Sequence, residues 1–283
     1  MKRERKPLRP GKGKWLNFIY GVLRLSVFLV LIAQFFNRDY ESVFLCILTL
    51  FLFLVPSILE RRLRVVVPDT LEIIILLFIY AAEILGEIRA YYIQFPYWDT
   101  MLHTLNGFLC AAIGFSLVDL LNRSTKISTF SLSPVYMAVV AFCFSMTVGV
   151  MWEFFECAMD RFFLLDMQKD AIMNTISSVM LDPAGGNTPV IIQDIADVII
   201  VHSDGAQQAL GLGGYLDVGI WDTMKDLFVN FIGAVVFSFT GFFYAKSKGK
   251  KRSAAQGFVP SKKTADRDYL NQAREENGGG PEG

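Results

Sequence analysis

The feature that most restricts this chain is an alternation of long apolar blocks with short polar links, in which Lys and Arg cluster in every second link. The blocks are Trp15–Phe36, Val43–Leu59, Asp69–Tyr91, Asp99–Leu121, a run from Pro134 to Asp160, and Trp221–Ala245. Roughly 20 residues rising about 1.5 Å each cross a hydrocarbon core of about 30 Å. No water is available there to bond the backbone, so each block must satisfy its own N–H and C=O groups as a helix. The expected fold is therefore an all-α polytopic membrane protein with six transmembrane helices. Apolar residues make up 53% of the chain, and their gathering into blocks is what separates it from a soluble domain.

Orientation follows from the cations. Lys2, Arg3, Arg5, Lys6, Arg9, Lys12 and Lys14 precede the first block against a single acid, Glu4. Arg61, Arg62 and Arg64 follow the second block, Arg123 and Lys126 the fourth, and Lys246, Lys248, Lys250, Lys251 and Arg252 the sixth. The other links are basic-poor, so the positive-inside rule puts both termini in the cytoplasm. The chain then divides into a basic cytoplasmic tail (1–14), helices one to five (15–160), one long external segment (161–220), the sixth helix (221–245) and a cytoplasmic tail (246–283). That last tail is polar and Gly-rich toward its end. It is expected to be disordered, and dispensable for folding beyond Arg252. The first block is too long for a signal-peptide core and no small-residue cleavage site follows, so it reads as a retained anchor. The expected location is the cell membrane, multi-pass. The partners are the lipid bilayer and, at the basic tails, anionic lipid. Nucleic acid is not an expected partner, and the oligomeric state is left open.

In the external segment Arg161 and Lys169 stand against Asp166, Asp170, Asp182, Asp194, Asp197, Asp204 and Asp217. Asp182–Pro189 reads as a turn cluster, and Val190–Val201 as a strand or a short amphipathic helix, with short strands preferred. Gly211–Gly214 lacks the Lys-Ser/Thr and the strand–helix context of a phosphate loop. Cys46, Cys110, Cys143 and Cys157 show no CxxC spacing, which indicates neither a disulfide framework nor a zinc knuckle.

Four blocks carry polar residues at their outer ends. Glu83 and Glu87 stand at i, i+4 in the third, and Asp99 and His103 at i, i+4 in the fourth, with Asn106 one turn deeper. Glu153, Glu156 and Asp160 share one face of the fifth, and Asp222, Asp226 and Asn230 one face of the sixth. Acids inside a bilayer are costly unless they meet water, a partner or an ion. Turning these faces toward one another gives an outward-facing acidic pocket in helices three to six. Glu153, Glu156, Asp160, Asp222 and Asp226 are its candidate metal ligands, and Glu83, Glu87, His103, Asn106 and Asn230 line a ligand site. Many carboxylates with one imidazole suit a divalent cation such as Mg, Ca or Mn, whereas zinc would want more His or Cys. The same carboxylates could serve as general acid and base, or as a proton or cation relay. The plain alternative is that they are solvated helix ends; acids such as Asp99 and Asp222 suit a helix N-terminus, and a mid-span Asn can join helices. Arg24, near the middle of the first block, either snorkels to the cytoplasmic side or pairs with a buried carboxylate such as Glu83.

His103-x-x-x-Gly107, Trp152-Glu153-x-x-Glu156 and Trp221-Asp222-Thr223-x-x-Asp226 with Gly233-Ala234 resemble the YjdF-like family of uncharacterised bacterial inner-membrane proteins. The Asp–Asn–Gly order of the last helix is more loosely similar to VanZ-like membrane proteins. The likeness covers roughly residues 70–245, and residues 161–220 form a longer link than that family has. It implies a polytopic membrane architecture and the position of the site, and it brings no activity. The function expected is thus a membrane protein that binds a cation or small ligand, with a metal-assisted reaction on lipid or envelope substrates as one extension. A cation or proton transporter and a non-catalytic scaffold are the rivals, and whether the chain is an enzyme stays open. The inner halves of helices three to six read as mostly apolar, which favours a one-sided site over a pore.

Overall fold

The computed structural model describes residues 13–63, 65–122, 132–247 and 257–262. Most of the basic clusters that set the expected orientation, and the tail at 248–256 and 263–283, lie outside those residues. Five helical stretches are long and apolar enough to cross a membrane. The first is α1 (Lys14–Asn37), which ends at Arg38 in the left-handed region. Asp39 then caps α2 (Tyr40–Leu52): its carboxylate accepts the Ser42 hydroxyl at 2.7 Å and the Ser42 N–H at 3.1 Å. Those two bonds hold the Asp39 carboxyl below its usual range.

The second block is not one straight helix. α2 stops at Leu52, and α3 (Val55–Leu63) follows. Pro56 is the physical cause, because it has no N–H and its ring conflicts with the carbonyl four residues back, that of Leu52. Tyr40–Arg62 taken together remains a candidate span. In the third block, α4 (Asp69–Tyr80) runs directly into a π-helical stretch, Ala81–Ile88. An i→i−5 bond from Arg89 N–H to the Ile84 carbonyl (3.0 Å) closes that stretch, and Ala90 leaves it at φ 54°. The helix thus ends at Ile88 rather than Tyr91. The short α5 (Tyr91–Gln94) then packs Tyr91 edge-on against Phe95 and Trp98, as interfacial aromatics do. The remaining candidate spans are α6 (Trp98–Asn122), α7 (Pro134–Phe163) and α8 (Ile220–Lys246).

The chain forms two compact units, residues 1–147 with 229–283, and residues 148–228. The first unit has two apolar clusters. In one, Leu16, Tyr20, Leu23 and Val27 of α1 recur at helical spacing and pack with Cys46, Phe53, Leu76 and Ile84. The opposite face of α1, including Phe18, Val22, Leu25 and Leu29, is exposed, as a lipid-facing surface must be. The other cluster joins Ala111, Ala112, Phe115, Met137, Ala141, Ala234 and Phe237 of α6, α7 and α8. α6 and α8 approach closely because glycines stand at the crossing. A Cβ at Gly107 would collide with the Asn230 carbonyl, and one at Gly233 with the Thr104 carbonyl.

The C-terminal tail corrects the expectation of disorder at residues 257–262. A short strand, β8 (Ser261–Lys262), pairs antiparallel with β1 (Val65–Val66). Val259 is buried in the α6–α8 cluster, and the Phe258 ring stands edge-on to Phe108 at 5.0 Å. The physical reason is visible in the sequence only afterwards: Phe258-Val259-Pro260 is an apolar patch within an otherwise polar tail.

In the second unit, the last turns of α7 and the first of α8 are linked by nested hairpins. β2 (Ile172–Met173) pairs with β7 (Tyr215–Leu216), β3 (Ile176–Ser178) with β4 (Val190–Ile192), and β5 (Ile199–Val201) with β6 (Gln207–Ala209). The expected strands in Val190–Val201 are thus β4 and β5. Asp217 anchors the return to α8 by accepting the N–H groups of Ala171, Gly219 and Trp221 at 2.8–3.2 Å. Burial alone would raise its pKa, but those backbone bonds outweigh burial and hold it below the usual carboxylate value. Asp170 is shifted the other way, by burial first and then by the charges of Asp166, Asp217 and Asp160.

Candidate functional site

In the first unit, α6, α7 and α8 meet at a polar node. Ser145 on α7 donates its hydroxyl to the Gly107 carbonyl of α6 at 2.7 Å. Asn106 on α6 donates to the Asn230 side-chain oxygen of α8 at 3.3 Å, and Asn230 donates in turn to the Ser145 carbonyl at 3.5 Å. Asn230 is only 1% exposed, and its amide is satisfied by groups from both neighbouring helices. The same glycine crossing that brings the backbones together gives these short side chains their reach. One turn along α6 from the node, His103 faces Asp99 with Nε2 to Oδ1 at 3.4 Å. The pair is largely buried, with side-chain exposures of 12% and 26%.

Glu83 and Glu87 also belong to this unit, on the π-helical stretch, which packs against α2, α4, α5 and α6. Glu83 is half-buried and Glu87 exposed. Eight residues of π-helix are unusual, and such stretches recur at functional sites. Arg24 does not pair with Glu83. Its guanidinium stacks 4.7 Å from the centre of the Tyr20 ring, and the Tyr20 hydroxyl donates to Glu72 at 2.6 Å. Glu72 is fully buried, so the first turns of α4 are less apolar inside than the sequence suggests.

In the second unit, Glu153 (4% exposed), Glu156, Asp222 and Asp226 (1% exposed) are all buried. Glu156 accepts the Trp152 indole N–H at 2.7 Å, one turn back on α7. Lys225 lies between the two aspartates of α8, 2.6 Å from Asp222 and 3.7 Å from Asp226. Asp222 also accepts the Lys169 N–H at 2.9 Å. Asp160 serves the chain turn after α7, accepting the N–H groups of Met167 and Gln168 at 2.6 and 2.8 Å. Of the expected acids, Asp160 and Asp222 thus hold backbone donors, while Glu153 and Asp226 are the most deeply buried in this unit.

Sequence reading missed Glu72, Ser145 and Lys225. Lys225 was readable between Asp222 and Asp226. Ser145 continues the buried stripe Met137, Ala141, Ser145, Gly149, Glu153, Glu156 along α7, a signal that its spacing alone could have given. Glu72 lies one turn from Asp69 and reads as a solvated helix start; only packing against α1 reveals its burial.

A family model described as a predicted membrane protein (DUF2238) matches residues 19–247. No curated protein and no solved structure matches.

Proposed function

We propose, from the premise that the chain belongs to the DUF2238 family of membrane proteins, that it binds a divalent cation in an acidic site of its second unit, formed by the last turns of α7 and the first turns of α8. Glu153, Glu156, Asp222 and Asp226, all buried in that unit, are assigned as its ligands. One observation carries this reading. Glu153, Glu156, Asp222 and Asp226 are all buried in one compact unit, with Lys225 2.6 Å from Asp222 and 3.7 Å from Asp226. Acids withdrawn from solvent at the ends of membrane helices are costly unless they meet a partner or an ion. Carboxylate ligands fit Mg, Ca or Mn, and fit zinc less well. Glu87, exposed, and Asp160, committed to backbone donors, drop out of the ligand set. Lys225 offsets part of the negative charge and leaves room for one cation rather than a cluster. The same reading keeps six spans with both termini cytoplasmic, the third made of α4 and the π-helical stretch. A cation held at the lipid–water boundary could polarise a phosphoryl or carbonyl oxygen of a lipid or envelope substrate.

A second reading, a proton or cation path, is favoured by the buried Glu72 and Asp119, which lie toward the opposite ends of α4 and α6 from Glu83 and Asp99. Metal analysis of the purified protein separates the two, followed by thermal unfolding in detergent with chelator and then with Mg, Ca or Mn. The cation site predicts bound metal and a Tm that rises on adding it, with the rise absent in Glu153→Gln and Asp226→Asn. No shift with any of the three removes the cation site. Proton uptake into liposomes that depends on Glu72 would then favour the path.

A further inference from the structure

We infer that α7 and α8 hold one anionic phospholipid in the leaflet that faces Lys246. The two helices bound an apolar groove of about 310 Å³, with Val135, Ala138, Val139 and Phe142 on one wall and Val235, Ser238, Phe239 and Phe242 on the other. It exists because Ala138 and Ser238 are small among large neighbours. This groove is separate from the node and from the acids discussed above.

Two observations distinguish it from ordinary lipid-facing surface. The first is Ser238, which is 8% exposed and whose hydroxyl has no hydrogen-bond partner among the described residues. Thr240 and Ser247 on the same helix each donate to the carbonyl three residues back. An unsatisfied hydroxyl at hydrocarbon depth is costly, and a ligand acceptor relieves it. The second is Lys246, whose ammonium folds back to 5.7 Å from the centre of the Phe242 ring, so a positive charge stands at one end of the groove. Lys248, Lys250, Lys251 and Arg252 follow it in sequence.

These features fit one occupant. A headgroup phosphate at the Lys246 ammonium leaves the ester carbonyls deeper. Ser238 stands deeper than Phe242 by roughly 6 Å along the helix, on that side, and can donate to one of them. An acyl chain then covers Val139, Phe142 and Val235. A neutral headgroup would forgo the ammonium, and a two-fold partner copy on this face would bring Lys246 toward its own equivalent. A second groove, between α6 and α8 along Thr100, Thr104, Phe108 and Gly233, has no cation among its lining residues and carries no comparable assignment.

The test is native mass spectrometry of the full chain released from detergent after equilibration with equal phosphatidylglycerol and phosphatidylcholine. Wild type is expected to retain one phosphatidylglycerol in preference. Lys246→Gln should lower that retention about fivefold, the contribution of one lysine near an anionic surface. Ala138→Trp, which fills the groove, should abolish retention of both lipids. Lys246→Gln alters only an exposed side chain, so the charge arm stands even if Ala138→Trp does not fold. Equal retention of the two lipids by wild type, or unchanged preference in Lys246→Gln, overturns the assignment. So does efficient disulfide cross-linking of two Val139→Cys copies in a bilayer, which would give the groove to a second protein chain.

Discussion

Phe258→Ala should loosen the α6–α8 cluster at the Asn122 end of α6, although it changes a residue in a tail that looks dispensable. Phe258 is half-buried, edge-on to Phe108 at 5.0 Å and within 6.3 Å of the Phe237 ring centre. A fully buried Phe→Ala change costs about 3–5 kcal/mol, and half of that burial suggests about 2 kcal/mol here. Val259 is 7% exposed, so Val259→Ala removes roughly two methylene equivalents at about 0.8 kcal/mol each. An effect of about 2 kcal/mol is a shift of roughly 25-fold in the docking equilibrium of the tail. The assay is amide hydrogen exchange in detergent across residues 257–262 and the Phe115–Asn122 end of α6, alongside thermal unfolding. Phe258→Ala and a chain truncated after Arg252 should both exchange faster at that end of α6 and unfold at lower temperature. Exchange and Tm that match wild type in the truncated chain would refute the reasoning, and would return this tail to the dispensable class.

Gly107→Ala and Gly233→Ala should each force α6 and α8 apart, because the new methyl meets a backbone carbonyl, at a cost of about 1–3 kcal/mol. Gly21→Ala is the control, since nothing lies within 4 Å of its Cβ, and equal Tm values for all three variants would contradict the crossing. The hairpins between α7 and α8 should show a two-phase response to acid, read by limited proteolysis. Asp170 has a raised pKa, so its charged form costs stability and protonating it first tightens the segment. Asp217 has a lowered pKa; its contribution is present above the ordinary carboxylate value and is lost as pH falls through its depressed one. Asp217→Asn should abolish the acid loosening and Asp170→Asn the initial gain, and a monotonic profile in wild type would count against both. Ser203→Cys, in the turn between β5 and β6, should react with an impermeant maleimide from outside intact cells. Labelling only after permeabilisation would invert the orientation.

What the sequence determined by itself is the membrane class and the approximate helix positions. Hydrocarbon leaves the backbone so few solutions that apolar length is nearly sufficient, and the matching of a membrane-protein family over residues 19–247 agrees. The second block was read as one span, and only the structure showed the break that Pro56 imposes within it. Helical spacing also marked Glu153, Glu156, Asp222, Asp226 and Asn230 as sharing faces, and all five are buried. Tertiary structure alone decided what those faces meet. That Asn106 bonds Asn230, that Glu72 and not Glu83 lies near Arg24 through Tyr20, and that Phe258 enters the bundle are contacts between residues 50 to 150 positions apart. Periodicity reports which side of a helix is polar, but it carries no information on which neighbour that side faces. The π-helical stretch at Ala81–Ile88 was hidden for a related reason: its apolar residues resemble those of an α-helix, and the wider turn shows only once the backbone bonds are drawn.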